Sequence, residues 1–582
     1  MTASRGDRGP DDRDRLGADI ALCDDLIRRR GVDVWIGAEP TFTRREAQDP
    51  PWLFQAEGGD KLERARGLVA ALAGWMPAGA SVHRVPGRHF PDEPAPRFAF
   101  GARWPRGGGG ATAAPPTPGL DAAVEPAPAL GDDDAWLTVT PDPGVVEVNM
   151  APCPDTTSFL EQACAVWDAA AEAGLSPMRY RYNGDVTDSG GGGQLTLGGP
   201  TAARSPFFTY PHLLPALIRY VNNHPSLSYW FAGECVGSAS QSPRPDEGVR
   251  ERWEELAVTV DWLEHLADLG ELGPDRLWQA LAPVLVDASG NTHRAELNVE
   301  KLWNPYLAGR GRLGLVELRA FRMPTRPGML AAAAALLRAI VARLVVAPYR
   351  EPFVDWSEDL HHTWALPHLL AQDLRHVLGD LDEHGLGLTA GLRSALDGWR
   401  DPGILCHLGD ATLTISRAVE FWPLLGDTAS QEQATSRLVD ASIERWQLAL
   451  ARADREWLVV QDRAVELADG TYGPHGHPDH RVVGVRRRAW VPSPGLHPGM
   501  PAQDPLVIEW GHGGQHQRIT LDGWKPGGGA YDGLPVDADD AARRRAERIR
   551  VETFAGPLPR PARAMRADHA YTIDLRRLAR ER

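Results

Sequence analysis

What most limits the folds open to this chain is a two-residue rhythm of acidic and aliphatic side chains. In the stretch 287–322, Glu296, Asn298 and Glu300 alternate with Leu297 and Val299, and Glu317 and Arg319 alternate with Val316, Leu318 and Ala320. Residues two apart in a strand share a face. Each segment therefore predicts a strand with carboxylate, amide or guanidinium groups on one side and aliphatic groups on the other. The rhythm recurs in VVEVNM, where Glu147 and Asn149 share a face. A solvated sheet face satisfies the alternation too, but such faces favour Lys, Thr and Ser. This one carries oxygen ligands followed by arginines, a mixture suited to a divalent cation with a phosphate beside it.

Composition narrows the function classes. A chain of 582 residues with 43% hydrophobic content is globular and long enough for roughly two to four domains. Its formal net charge of −16 argues against a nucleic-acid backbone as partner. Arginines can still hold phosphate locally. Five cysteines, an odd number with no CxxC pair, predict reduced thiols in a cytoplasmic protein rather than a zinc ribbon or disulfide framework. No apolar leader and no run of 18 apolar residues occurs, so neither signal peptide nor membrane span is expected. With no GxSxG and no Cys–His pair at a recognisable spacing, a nucleophilic hydrolase is not indicated.

Along the chain, residues 1–18 predict a disordered tail, 20–29 a helix, and 33–42 a short apolar strand ending at Glu39, a site carboxylate or a turn residue before Pro40. Residues 62–76 have helical spacing and lead to a loop bearing Arg88, His89, Glu93 and Arg97; 105–133 is a low-complexity insertion rich in Gly, Ala and Pro. After a helix over 158–172, Gly190, Gly191, Gly192 and Gly193 precede Gln194 and Thr196. Without a following GK[ST] this is no Walker loop, although consecutive glycines can turn backbone N–H groups toward an anion or nucleotide. A plain hairpin loop is the other reading. Residues 207–231 read as helix then strand, and Ser238, Ser240, Gln241, Ser242 and Arg244 as a substrate clamp or as helix caps. A helical region over 327–450 contains His361, His362 and His368, taken as surface or packing residues; β-rich sequence follows from 451. His475, His477, His480, His497, His512 and His516 fit no standard metal spacing.

The motifs GAEPTF, VEVNMAPC, RYNGDVTDSGGGGQLTLGGP, the 287–322 stretch and KPGGGAYDGLPVDADDAARRR together resemble a bacterial family of amidoligases, within the carboxylate–amine ligases of glutamine synthetase-like fold. The likeness spans nearly the whole chain, and many members carry this region behind a transglutaminase-like domain, which this chain looks to lack. The resemblance implies an α+β fold: a curved antiparallel sheet with helices on its outer face, binding ATP and Mg²⁺ on its concave face. It places Glu39, Glu147 and Glu317 at metal; Asn149, Glu296 and Asn298 are taken from this chain's own pattern as further ligands. Gly190–Gly193, Gln194, Thr196 and Lys301 fall near nucleotide; Arg310, Arg312, Arg319 and Glu300 belong to the reacting centre. The chain departs from the wider superfamily at Thr41 and Asn149, where a second acid is common, and at Gln194 and Thr196, where His-x-His is common.

The resulting expectation is an ATP- and Mg²⁺-dependent ligase that joins a carboxylate to an amine through an acyl phosphate, on a peptide or amino-acid-like substrate. Its partners would include no nucleic acid or membrane, and possible separate transglutaminase-like or ligase proteins. Its catalytic core would run over 19–326, followed by the helical region and by a β-rich region over 451–582. The missing acids also motivate a non-catalytic scaffold. Hydrolysis by metal-held water is a third reading.

Overall fold

The computed structural model describes residues 11–45, 59–77, 79–86, 98–106, 134–307, 311–422, 440–452, 458–470, 480–490, 501–559, 561, 563–565 and 568–577. Arg88, His89, Glu93, Arg97, Arg310, His475, His477, His497 and nearly all of the 105–133 insertion lie outside them. In the first half of the chain the strands are β1 (Trp35–Phe42), β2 (Ser81–Pro86), β3 (Phe98–Pro105), β4 (Asp134–Asp142), β5 (Val145–Asn149), β6 (Met178–Tyr180), β7 (Val186–Asp188), β8 (Gly193–Gly198), β9 (Cys235–Val236), β10 (Leu297–Asn298) and β11 (Val316–Leu318).

Eight of these make one sheet in the order β10-β11-β8-β1-β5-β4-β3-β2, antiparallel at every pairing. Its register sorts side chains by face. Asn298 stands opposite Glu317, Glu317 opposite Thr196, Gln194 opposite Glu39, Thr41 opposite Glu147, and Asn149 opposite Thr138. Because partners directly across share a face, all of these polar groups project to one side. The other side carries Ile36, Ala38, Phe42, Leu137, Val146, Val148, Leu195, Leu197, Val316 and Leu318, every one of them buried.

That apolar face is sealed by the helices Asp12–Arg29, Gly59–Ala73, Thr156–Glu172 and Pro327–Val346. The last is long and apolar enough to cross a membrane by length and composition, with mean hydropathy 2.1, but 89% of it is buried inside the protein. Arg338, in its middle, explains how a guanidinium survives there. It donates to the carbonyls of Val34 and Pro154 (both 3.0 Å), to Thr156 Oγ1 (2.9 Å) and to Asp24 Oδ1. Asp24 in turn accepts from the backbone N–H groups of Thr156 and Thr157, both at 2.9 Å, at the start of the Thr156–Glu172 helix. One buried ion pair thus ties three helices to the residue that leads into the strand carrying Glu39.

Several sequence expectations are corrected. Residues 12–18 are helical rather than tail. The strand expected across 296–300 stops after two residues, because Asn298 Oδ1 accepts the N–H of Glu300 at 2.7 Å and turns the chain into the Glu300–Trp303 helix. Residues 206–229 are three short helices with no strand. Strands begin again at Ile404, inside the stretch read as helical, where ILCHL and ATLTISR alternate around a turn at Gly409. From there the chain builds two more antiparallel-rich sheets around a second core that includes Leu413, Leu448, Val483, Trp510 and Ile519. The five cysteines are unpaired.

Replacing Asp24 by Ala strands Arg338 without its counter-charge, and removal of one partner of a buried pair costs about 3–5 kcal/mol. Urea unfolding of Asp24→Ala is expected to show a loss in that range, with a smaller loss for Asp24→Asn, which keeps an acceptor. A loss below about 1 kcal/mol, the scale of an exposed pair, would remove this pair from its place in the fold.

Candidate active site

The polar face gathers its charges along a line. Lys301, on the short helix after β10, reaches back over the sheet and donates to Glu39 Oε1 at 3.0 Å; its ammonium lies 3.9 Å from Glu317 Oε2. Glu317 Oε1 accepts from Arg319 at 2.5 Å, and Arg319 also donates to Gln194 Oε1 at 3.2 Å. Glu147, held by Asn149 Nδ2 at 2.8 Å, stands near enough to feel both Glu39 and Lys301. Glu39, Lys301, Glu317 and Arg319 therefore form a chain of ion pairs reaching from β1 across β8 to β11.

With Glu147 beside that chain three acids face two bases, and the carboxyls show it. Burial, with the charges of Glu39 and Asp142, pushes Glu147 up to about 8 against the pull of Asn149 and Lys301. Burial and Glu39 also raise Glu317, although Arg319, Lys301 and His293 oppose them. Burial disfavours the Lys301 ammonium, but Glu39, Glu317 and Glu147 outweigh it and hold the group above its usual range. Three carboxylates whose mutual repulsion is only partly relieved are a donor set that an oxygen-seeking divalent cation fits. The Nδ2 atom of Asn298, buried opposite Glu317 and without a partner, is a further unsatisfied polar group there. Among the described residues, no group of three or more His, Cys, Asp or Glu is already arranged to hold a metal ion; Lys301 occupies the centre.

A cavity lies at each end of the chain. One, about 380 Å³, is lined by Trp35, Glu39, Trp136, Asn149, Thr196 and Lys301. The other, about 490 Å³, is lined by Gln194, Arg319, Arg322, Asp188 and the glycine loop, with Ser240, Gln241 and Ser242 on its far wall. Thr196 and Gln194, two residues apart on β8, thus serve opposite cavities.

The glycines differ in their reasons. Gly190 and Gly192 adopt φ of 92° and 93°, a region that side chains resist. At Gly191 a Cβ would come within 2.8 Å of the Thr41 side chain. Thr41 Oγ1 lies 2.6 Å from both Ser189 Oγ and the Gly192 carbonyl, while Gly193 N donates to Phe321 O at 2.9 Å and Gly190 N to Asp188 at 2.9 Å. The loop is stitched to its neighbours, so at least these two N–H groups are not offered to an anion. This corrects the simplest sequence reading of the run, while Gly190, Gly191 and Gly192 still line the cavity.

Other candidates fall elsewhere. Glu296 is buried against Ser228, whose hydroxyl donates to it at 2.5 Å, and its carboxyl is pushed up to about 7 by burial, with the Arg244 guanidinium opposing the rise. Arg244 is itself a structural node, donating to Val221 O, Asn222 O, Ser228 Oγ and Asp246. Glu300 lies 3.1 Å from His293 Nδ1. Arg312 is exposed and stacks 5.4 Å over the Trp303 ring. The histidines pack: His361 on Phe421, His362 on His569, and His368 against the Gly470 carbonyl.

Sequence reasoning missed a second charged group. Arg322, Arg179 and Arg400 surround Asp188 and Glu234 by the 490 Å³ cavity. Burial raises the Asp188 carboxyl, opposed by Arg322, and lowers Arg322, opposed by Asp188 and Glu234. Arg400 is pulled down to about 9 by burial and by Arg322. The signal was faint: Asp188 and Arg322 lie far apart in the chain, and the pairing of β11 with β8, extended by Gly193 N donating to Phe321 O, brings their segments together.

A family model described as "Putative amidoligase enzyme (DUF2126)" matches residues 12–112 and 127–576. Among solved structures, one titled "GmaS/ADP complex-Conformation 1" is similar at 15% identity, covering 67% of this chain and 71% of that one, with a TM-score of 0.29. No curated protein matches by sequence.

The raised Glu147 carboxyl has a consequence for stability. A group that binds its proton more tightly when folded stabilises fully below its unfolded value, near 4.5, and that contribution is lost as pH rises through about 8. Without divalent cation, melting temperature is expected to fall more steeply between pH 4.5 and 8 in the wild type than in Glu147→Gln. Parallel profiles by scanning fluorimetry would show that Glu147 is not so perturbed.

Proposed function

The chain belongs to this amidoligase family, and from that premise we propose that it joins a carboxylate to an amine at the expense of ATP, on the polar face of the eight-stranded sheet. The observation that carries the reading is the meeting of Glu39, Glu147 and Glu317, from three different strands, around a single ammonium with Arg319 beside them.

The chemistry is a substrate carboxylate oxygen attacking the γ-phosphorus of ATP, with ADP leaving and an acyl phosphate forming. An amine nitrogen then attacks the acyl carbon, a proton is lost, phosphate departs and the amide remains. No side-chain nucleophile is required. Glu39, Glu147 and Glu317 would hold Mg²⁺, which supplies charge neutralisation for the triphosphate. Arg319, held by Gln194 and Glu317, would present its guanidinium to the phosphoryl group in flight. Lys301 adds a second positive charge at the mouth of the 380 Å³ cavity. Trp35 and Trp136 in that cavity offer ring faces to a nucleobase, and the arginines around the 490 Å³ cavity offer charge to an acid substrate. A curved sheet of glutamine synthetase-like type is part of the same proposal.

Purified protein with ATP, Mg²⁺ and a mixture of amino acids and amines is expected to release ADP and phosphate in step with amide formation. Absence of nucleotide binding by folded protein would count decisively against the reading. Glu317→Gln keeps shape and hydrogen-bonding capacity while removing the charge, so turnover is expected to fall at least about 100-fold, the scale seen when one charge-stabilising group is lost. Its melting temperature should stay within a few degrees, because Gln can still accept from Arg319. Turnover retained in Glu317→Gln would place the chemistry elsewhere. Arg319→Lys should lower kcat more than it changes KM, since a point charge cannot reproduce the fork that bridges Glu317 and Gln194.

A further inference from the structure

Beside the 490 Å³ cavity lies a larger one, about 620 Å³, to which the ligase chemistry assigns nothing. Its walls come from the turn between β6 and β7 and residues 234–235 on one side. On the other they come from the strands Ala411–Arg417 and Ile443–Ala451 and from residues 489–490 and 523–524. Both cavities are lined by Arg181, Glu234, Cys235 and Trp422, so they adjoin at these four residues, the neck between them. The C-terminal part of the chain thereby forms one wall of a space whose neighbour is lined by Arg319.

The charges in this wall are committed to one another. Arg417 pairs with Glu444 and lies 3.5 Å from Asp185; Arg445 lies 3.4 Å from Glu420, and Arg181 3.4 Å from Glu234. What remains facing the space is chiefly Tyr182, Trp422, Ile443, Trp490 and Trp524. Tyr182, Trp490 and Trp524 are 42%, 48% and 41% exposed. Six large aromatic residues among those described are this exposed, the others being Trp262, Tyr306 and Phe554, and half of the six line this one cavity. Exposed apolar side chains scattered singly need no explanation, whereas aromatic groups gathered at one concavity mark a binding platform. Two of the rings are already fixed. Trp422 Nε1 donates to Ile443 O at 3.1 Å; Trp524 Nε1 donates to Gly529 O at 2.9 Å while its ring meets Tyr531 edge-on at 5.1 Å. A ligand would lose little by ordering them.

We propose that this cavity holds an aromatic or branched apolar group of the substrate, with the reacting carboxyl or amine end passing through the neck toward Arg319. The inference rests on the ligase reading and names its substrate class: an amino acid or short peptide bearing a bulky apolar side chain. A volume of 620 Å³ falls in the range of pockets that take whole small ligands.

Binding is measured by ¹⁹F NMR with 5-fluorotryptamine and N-acetyl-5-fluorotryptophan, with ethylamine and acetate as competitors, on the full chain. At least one fluorinated probe is expected to bind saturably and to resist displacement by either short competitor. Affinity should fall about tenfold in Trp490→Ala, which truncates an exposed ring of the platform. It should fall similarly in Ala441→Trp, which adds a ring to the cavity lining, with circular dichroism confirming that both variants fold. Failure of both probes to bind, displacement by ethylamine or acetate, or wild-type affinity in both Trp490→Ala and Ala441→Trp overturns the proposal. Probe binding that follows the expected pattern in a protein that turns over no ATP would overturn the ligase reading and leave the cavity's preference standing.

Discussion

Everything in the cleft depends on one sheet having two unlike faces. Leu195 and Leu197 alternate with Gln194 and Thr196 on β8, and Ile36 and Ala38 alternate with Gly37 and Glu39 on β1. Burying the aliphatic set under four helices is the dominant favourable term, at roughly 25 cal/mol per Å² of apolar surface. It also leaves the polar set no choice of side. A slip of one residue in any of these pairings would carry a carboxylate into the core. The register that places Glu317, Thr196, Glu39 and Glu147 on one surface is therefore fixed by what lies behind that surface. The Arg338–Asp24 pair then pins three of the covering helices to the residue that leads into β1.

The energetics of the polar face run the other way. Three acids share one ammonium and one guanidinium, and the imbalance leaves Glu147 and Glu317 holding protons more tightly than exposed carboxyls do. A fold selected only for stability has little reason to assemble this group, since burying like charges costs more than exposing them. The arrangement makes sense as a site that awaits positive charge. The second cluster sets Arg322, Arg179 and Arg400 against Asp188, Glu234 and Asp401, and burial is the largest influence on Asp188, Arg322 and Arg400.

The later part of the chain is bound into this floor by contacts that local sequence gives no hint of. β9, only two residues long, pairs in parallel with residues 420–421. Arg544, Arg545 and Arg548, in or just after a helix whose arginines read from sequence as a solvated face, bond to Tyr182, Gly184 and Asp185 in the turn between β6 and β7. Those bonds hold the rim of the 620 Å³ cavity, so the C-terminal sheets contribute walls to the cleft as well as a core of their own.

Much of this was legible in the residues. The alternation through Glu147 and Glu317 fixed strands and faces because side-chain period in a strand is two. The same rule failed at Glu296 and Glu300, where an asparagine side chain bonded the backbone two residues on and broke the strand, a local competition that alternation does not register. Glu296 consequently pairs with Ser228, and Glu300 with His293. The glycine run was recognisable as a special backbone, but its close fit to Thr41 was not, since that depends on a residue some 150 positions earlier. The sequence by itself determined which residues are acid, base or apolar, and which segments must be two-faced. Only the tertiary structure decided which acids meet, that a lysine stands among them, and that aromatic residues from distant segments converge on one cavity. Long-range proximity is set by the register of packed layers, and no local pattern encodes it.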